Sequence, residues 1–197
     1  GIPYIFHDET LTRLLNRDDV FSSLHSNEID NLKIFDEHSI PKLETVLRMF
    51  PDMKFQIDVK TDEVAMPALA IIQKNNAMDR VCIASFNSKR LNLVNNNYPD
   101  ICISMGPYEV AKMLLSSFGL YKKSILGNCL QIPIYEYGIK LVTKRFVKFI
   151  HSKGLKVCVW TINDEKTFKY LIDLGVDGII TDKPKLLFEV LDSATNQ

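Results

Sequence analysis

The sequence has no excess of charge of either sign. Lys plus Arg and Asp plus Glu both number 24, so no global field draws the chain to nucleic acid or to an anionic membrane, and any phosphate has to be held by a local site. Cysteine is sparse: Cys82, Cys102, Cys129 and Cys158 each lie in a short apolar run, and none forms a CxxC pair or stands beside a histidine at metal-ligand spacing. They read as buried free thiols, which points to a reducing, cytoplasmic compartment. No run approaches the ~20 apolar residues of a membrane span. Gly1-Ile2-Pro3-Tyr4-Ile5 lacks the basic start and small-residue cleavage site of a signal peptide. Glycine-rich phosphate loops of the dinucleotide or P-loop kind are missing too, since Gly175-Val176-Asp177-Gly178 precedes a strand instead of following one. With no linker or low-complexity tract, residues 1–197 read as one domain.

What is present is a composition, 46% hydrophobic and 24% charged, suited to one sizeable core. Beyond the first forty residues two periods alternate. Apolar or β-branched runs at 55–60, 80–86, 101–106, 129–133, 156–161 and 178–182 predict six strands. Segments of helical spacing at 63–76, 87–96, 107–121, 144–152, 164–174 and 185–191 follow them in turn. An earlier helix is predicted over 41–50, with Ser39 as its cap, Pro41 in its first turn and Pro51 beyond its end. Gly154 and Gly175 are placed to end two later helices in the left-handed conformation. The basic stretch 140–156 reads as the wet face of an amphipathic helix whose apolar face is Phe146, Val147, Phe149 and Ile150.

Strict β-then-α alternation means parallel strands with right-handed crossovers, in an open sheet or a closed barrel. In Val81-Cys82-Ile83-Ala84-Ser85-Phe86 and Ile101-Cys102-Ile103-Ser104-Met105-Gly106 one face is bulky and the other small, as a barrel wall requires. On the same grounds the four cysteines are expected to point inward as reduced thiols.

Three groups could carry chemistry. His7 opens His7-Asp8-Glu9-Thr10-Leu11-Thr12-Arg13 directly after an extended run, where an imidazole can give or take a proton. The plainer reading is an exposed loop histidine, with Asp8 and Arg13 pairing to fix the turn. Alternation then sets Gln56, Asp58 and Lys60 on one face of a predicted strand. A carboxylate and an ammonium at the C-terminal end of a barrel strand suit a divalent cation together with a phosphate; the alternative is a buried Asp–Lys ion pair. Finally Trp160, and Phe86 with it, fall at strand ends where a ring can line a pocket for the alkyl or polyol part of a substrate, or plug the barrel top.

At these residues the chain resembles the glycerophosphodiester phosphodiesterase family along nearly its whole length. The matching stretches are Gly1-Ile2-Pro3 through Arg13, Ile40-Pro41-Lys42-Leu43-Glu44-Thr45-Val46-Leu47, Asp58-Val59-Lys60, Ala84-Ser85-Phe86-Asn87, Val159-Trp160-Thr161-Ile162-Asn163-Asp164, and Gly175-Val176-Asp177-Gly178 through Pro184. Most are weak alone; in this order they are specific. The resemblance implies a TIM (β/α)8 barrel that hydrolyses glycerophosphodiesters to glycerol 3-phosphate and an alcohol, using Mg²⁺ or Ca²⁺ and two histidines. His7 matches the second histidine. Asp58 takes the place of the third metal carboxylate, more often Glu in the family, and Lys60 matches a lysine that contacts the phosphate.

The family opens with His-Arg-Gly, Glu-Asn-Thr and Glu-x-Asp, and this sequence contains none of them. Gly1-Ile2-Pro3 matches the turn after the family's second strand, so the six strands are expected to be the third to eighth, with the first two βα units missing. On that reading these residues by themselves are expected to be inactive. The expected partner is a small glycerophosphodiester or a lysophospholipid, and neither nucleic acid nor membrane contact is indicated. Two alternatives stand beside it. A lysophospholipase D or sphingomyelinase D would use helix residues 110–120, with Met113, Leu114, Leu115 and Phe118, as a lipid-facing loop, where the plainer reading is core packing. A non-catalytic barrel would bind phosphodiesters without cutting them.

Overall fold

All six predicted strands form: β1 (Phe55–Asp58), β2 (Val81–Ala84), β3 (Cys102–Met105), β4 (Cys129–Ile132), β5 (Lys156–Val159) and β6 (Gly178–Ile179), in a computed structural model that describes residues 1–195. Every pairing is parallel, and spatial order is sequence order from β1 to β6. Helix α1 (Leu43–Met49) precedes β1, and α2 (Asp62–Lys74), α3 (Ser88–Asn97), α4 (Pro107–Ser117), α5 (Lys144–Ser152), α6 (Glu165–Leu174) and α7 (Pro184–Thr195) follow the strands one by one.

Alternation along each strand decides the packing. Val81, Ile83, Ile103, Met105, Leu130, Ile132, Val157 and Val159 are buried on the face that meets the helices. The other face carries Gln56, Asp58, Cys82, Ala84, Cys102, Ser104, Cys129, Gln131 and Cys158, aligned by the strand registers. This face is strongly concave. Gln56 on β1 and Cys158 on β5 are four strands apart, about 19 Å in a flat sheet, yet the Gln56 amide reaches the Cys158 sulfur at 3.8 Å. The six strands therefore curl into a half-barrel, with β1 and β6 as its two edges among the described residues. All four cysteines are free thiols on the concave face; Cys129 is buried and the other three are half-buried.

The helices follow the expected boundaries with two corrections. Ser39 does not cap α1: it lies in a short hairpin (Lys33–Ile34 with His38–Ser39), Lys42 holds the N-cap position, and Pro41 precedes the helix. Helix α4 stops at Ser117, short of 121, because Gly119 turns left-handed (φ 76°) just beyond Phe118. Core packing accounts for only part of this helix region: Val110 and Met113 are buried, whereas Leu115, Phe118 and Leu120 are exposed. Gly175 caps α6 at φ 75°, and Gly154 follows the end of α5 at φ 71°, as expected. On α5, Phe146, Val147 and Ile150 are buried, leaving its basic residues in water.

The first forty residues form a satellite core of Leu11, Ile29, Leu32 and Ile40, with Phe6 stacked on Phe21 at 4.4 Å. Two backbone bonds, Ile5 N–H to Pro41 O (2.8 Å) and Leu43 N–H to Pro3 O (2.9 Å), tie its opening segment to the start of α1. That tie delivers residues 1–9 to the edge formed by β1.

Candidate active site

Parallel strands aim their C-terminal ends at one rim of the sheet, and the loops leaving that rim hold the polar residues. At β1 the ladder runs one step past the strand, with Val59 N–H donating to Ala84 O at 2.8 Å, so Asp58 and Lys60 stand at the mouth. Their side chains form an ion pair of 2.6 Å. It is not the buried pair considered above: Asp58 is 31% and Lys60 43% exposed, so both remain able to exchange partners.

A cavity of about 1120 Å³ opens beside them, lined by His7, Asp8, Glu9, Asp58 and Lys60 together with apolar residues of the N-terminal segment and α2. His7 is 80% exposed, with Nδ1 2.7 Å from Asp8 Oδ1. Arg13 grips the same carboxylate twice, Nε to Oδ2 at 2.6 Å and Nη2 to Oδ1 at 3.1 Å. The turn-fixing pair of Asp8 and Arg13 is therefore real, and it holds the imidazole as well. Hydrogen bonds from Arg13, then from His7, lower the Asp8 carboxyl from 3.8 to about 2. An anionic Asp8 accepts from Nδ1–H and so leaves Nε2 of neutral His7 as a free proton acceptor facing outward.

Phe86 and Trp160, at the ends of β2 and β5, meet edge to face with ring centroids 6.4 Å apart. They are brought to each other but do not line the cavity of His7, Asp58 and Lys60. Phe86 is largely exposed, so the pair does not plug the barrel top as a packed core would.

Mg²⁺ or Ca²⁺ needs several oxygen ligands. Among the described residues, the group of three or more His, Cys, Asp or Glu side chains that converges on one point consists of cysteines, not carboxylates. Asp58 offers a single carboxylate already paired with Lys60, so the described residues alone do not fit a hard cation.

Sequence reasoning missed Arg90. This nearly buried side chain donates from Nη1 to Val59 O (2.6 Å) and Ser85 Oγ (2.9 Å), and from Nε to Asp62 (2.7 Å), clamping the outgoing loops of β1 and β2 together. A signal was available: a cation in the first turn of a helix opposes the macrodipole and calls for a partner outside the helix. Asn163 plays a similar part on the same rim at the other edge of the sheet. Its amide donates to Asp182 and accepts from Thr181 Oγ1 and the Asp182 N–H, joining the loops after β5 and β6.

Residues 1–186 match the sequence model of the glycerophosphoryl diester phosphodiesterase family. A Mycobacterium tuberculosis protein named "Probable glycerophosphodiester phosphodiesterase 2" is 30% identical over 200 residues, spanning 97% of this chain and 75% of its own length. A glycerophosphodiester phosphodiesterase from Parabacteroides distasonis has a similar structure, with TM-score 0.76, 20% identity, and 98% of this chain and 79% of that chain covered. An Oleispira antarctica phosphodiesterase, solved with the product sn-glycerol-3-phosphate, gives TM-score 0.78 at 20% identity over 97% of this chain and 80% of its own. At such identity the two structures speak for the fold alone. The sequence match runs from the first residue into the last helix, over strands that keep the same order in space as in sequence, and it leads to one conclusion: this chain belongs to the glycerophosphoryl diester phosphodiesterase family.

Proposed function

We propose that the protein hydrolyses a small glycerophosphodiester to glycerol 3-phosphate and an alcohol, with residues 1–197 acting as one domain and His7 moving the proton. The observation that carries this reading is the convergence, on one cavity, of an Asp8-held imidazole with Lys60 and Asp58 at the C-terminal end of a parallel strand. Names of relatives and the product bound by the Oleispira enzyme supply the substrate class.

In this mechanism Lys60 turns from Asp58 to a phosphoryl oxygen and neutralises charge that builds up there. Nε2 of His7 takes the proton of the attacking oxygen; Asp8, anionic and accepting from Nδ1–H, stabilises the imidazolium. The same proton is then available to the departing alkoxide as its bond to phosphorus breaks. Phe86 and Trp160 offer apolar surface to the alcohol. The resemblance also implies a divalent ion, and Asp58 would be one of its ligands. The remaining oxygens would have to come from outside the described set, so none of these steps passes through it.

The test is release of glycerol 3-phosphate from glycerophosphocholine by the gene product that carries these residues, with lysophosphatidylcholine as a parallel substrate. His7→Ala is expected to lower turnover roughly 10²-fold to 10⁴-fold, the usual worth of one positioned acid or base. Undiminished turnover in His7→Ala removes His7 from the mechanism, and diester binding without hydrolysis favours the non-catalytic reading. A chelator that leaves turnover intact removes the metal from the proposal.

A further inference from the structure

The concave face carries a cluster that hydrolysis does not use. Cys82, Cys102 and Cys129 occupy inward positions on three adjacent strands, β2, β3 and β4. Their sulfurs all lie within 4.8 Å of one another, Cys82 and Cys129 at 3.6 Å. Registers explain the convergence: Cys82 faces Cys102 directly across β2 and β3, and Cys129 pairs with Ser104, the next inward residue after Cys102. Curling the sheet turns the three side chains toward one centre.

The spacing suits a metal better than a Cys82–Cys129 disulfide. Zinc–sulfur bonds of about 2.3 Å place two thiolates roughly 3.8 Å apart in a tetrahedral site and roughly 4.0 Å apart in a trigonal one. The 3.6 Å between Cys82 and Cys129 is close to both values, and every pair of the three sulfurs lies within 4.8 Å. Cys82 and Cys129 are two strands apart, which is about 9–10 Å between backbones and beyond the ~7 Å that a disulfide spans. Gln131, the next inward residue along β4 from Cys129 and in register with Cys158, adds to this face a buried amide nitrogen with no hydrogen-bond partner among the described residues.

We propose that Cys82, Cys102 and Cys129 form a trithiolate site for one thiophilic metal ion of the zinc and cadmium class, stapling β2, β3 and β4 from inside the half-barrel. Binding forms three sulfur–metal bonds; each sulfur that enters as a thiol loses its S–H bond, and that proton passes to water. Soft sulfur ligands set the site apart from any Mg²⁺ or Ca²⁺ site, since those ions prefer oxygen. Cys82 and Cys102 also lie deeper in the wall than the hydrolytic rim, while Cys129, in register with Ser104, is level with Asp58. Cys82 is level with Gln56, two residues or about 7 Å before Asp58 along the strand direction.

Cd²⁺ titration of the reduced full-length chain, followed by sulfur-to-cadmium charge-transfer absorbance, is expected to saturate at one ion per chain, and Zn²⁺ is expected to displace it. Cys102→Ser should weaken binding by more than roughly 100-fold, beyond what losing an outer-shell partner costs. Cys158→Ser, on the same face but outside the trio, should leave it unchanged. A chain that shows no such band, or a Cys102→Ser protein that binds as the parent does, overturns the proposal. Should Cys102→Ser not fold, the parent still decides the matter. Bound Cd²⁺ must slow alkylation of Cys82, Cys102 and Cys129 as mapped on peptides, and unchanged rates overturn it.

Discussion

Asp8 shows how much one side chain arranges. Arg13 and His7 both bond to its carboxylate, and together they hold it at about 2 instead of 3.8. A value depressed in the folded state means that the clamp contributes fully above the unfolded value near 4 and fades only as pH falls through about 2. His7 thus keeps an anionic partner throughout the neutral range. A carbon-detected NMR titration should find the Asp8 midpoint close to 2, and in Arg13→Ala it should move toward 3.8, because the largest stabilising partner is gone. Arg90 is the corresponding structural residue. Arg90→Ala leaves Val59 O and Ser85 Oγ short of a donor, and a loss of roughly 1–3 kcal/mol in a denaturant melt is expected. Arg90→Lys should recover only part of it, since an ammonium lacks the fork that reaches Val59, Ser85 and Asp62 at once. Neither role shows in the periodicity, which records faces and not partners.

At the scale of elements, legibility depended on length. Four-residue strands such as Val81–Ala84 announce themselves by alternation, and helices such as Lys144–Ser152 by their apolar stripe. Two hairpins built on two-residue strands carry too few residues to show a period. The turn between Lys33–Ile34 and His38–Ser39 is also disguised. Phe35 and Asp36 both have positive φ, 52° and 62°, a conformation usually marked by Asn or Gly. A hairpin that shows no period leaves Ser39 looking like a cap in the sequence, although it is a strand residue. Where capping side chains do act, they can be tested. Asp164 accepts from Thr167 N–H at 2.9 Å at the start of α6, and its carboxyl is lowered by that backbone bond first. Asp164→Ala is expected to lower the thermal midpoint at neutral pH, since the Thr167 N–H loses its capping acceptor. The difference should shrink in acid, as the parent's Asp164 takes up a proton and loses the same bond.

For the whole molecule, the β-then-α order named the fold class and the strand faces pointed to a curled wall, because burial against helices demands bulky residues on one side only. The site was less open to such reading. His7 and Asp58 are far apart in sequence and meet through the backbone tie between Pro3 and Leu43, so only the family resemblance placed them together beforehand. The thiol cluster depends on register and curvature acting jointly, and neither is encoded in spacing along the chain. One consequence follows from the strands lying in sequence order. β3 and β4 have a hydrogen-bonded neighbour on each side, whereas β1 and β6 have one each among the described residues. Opening an edge strand breaks one ladder; freeing a central strand breaks two, along with the helices packed on both. In a protein made of residues 1–197 alone, deuterium uptake should therefore run inward. Hydrogen-bonded amides of Phe55–Asp58 and Gly178–Ile179 should exchange first, and those of Cys102–Met105 and Cys129–Ile132 last, by more than roughly tenfold, equivalent to ~1.4 kcal/mol of local opening.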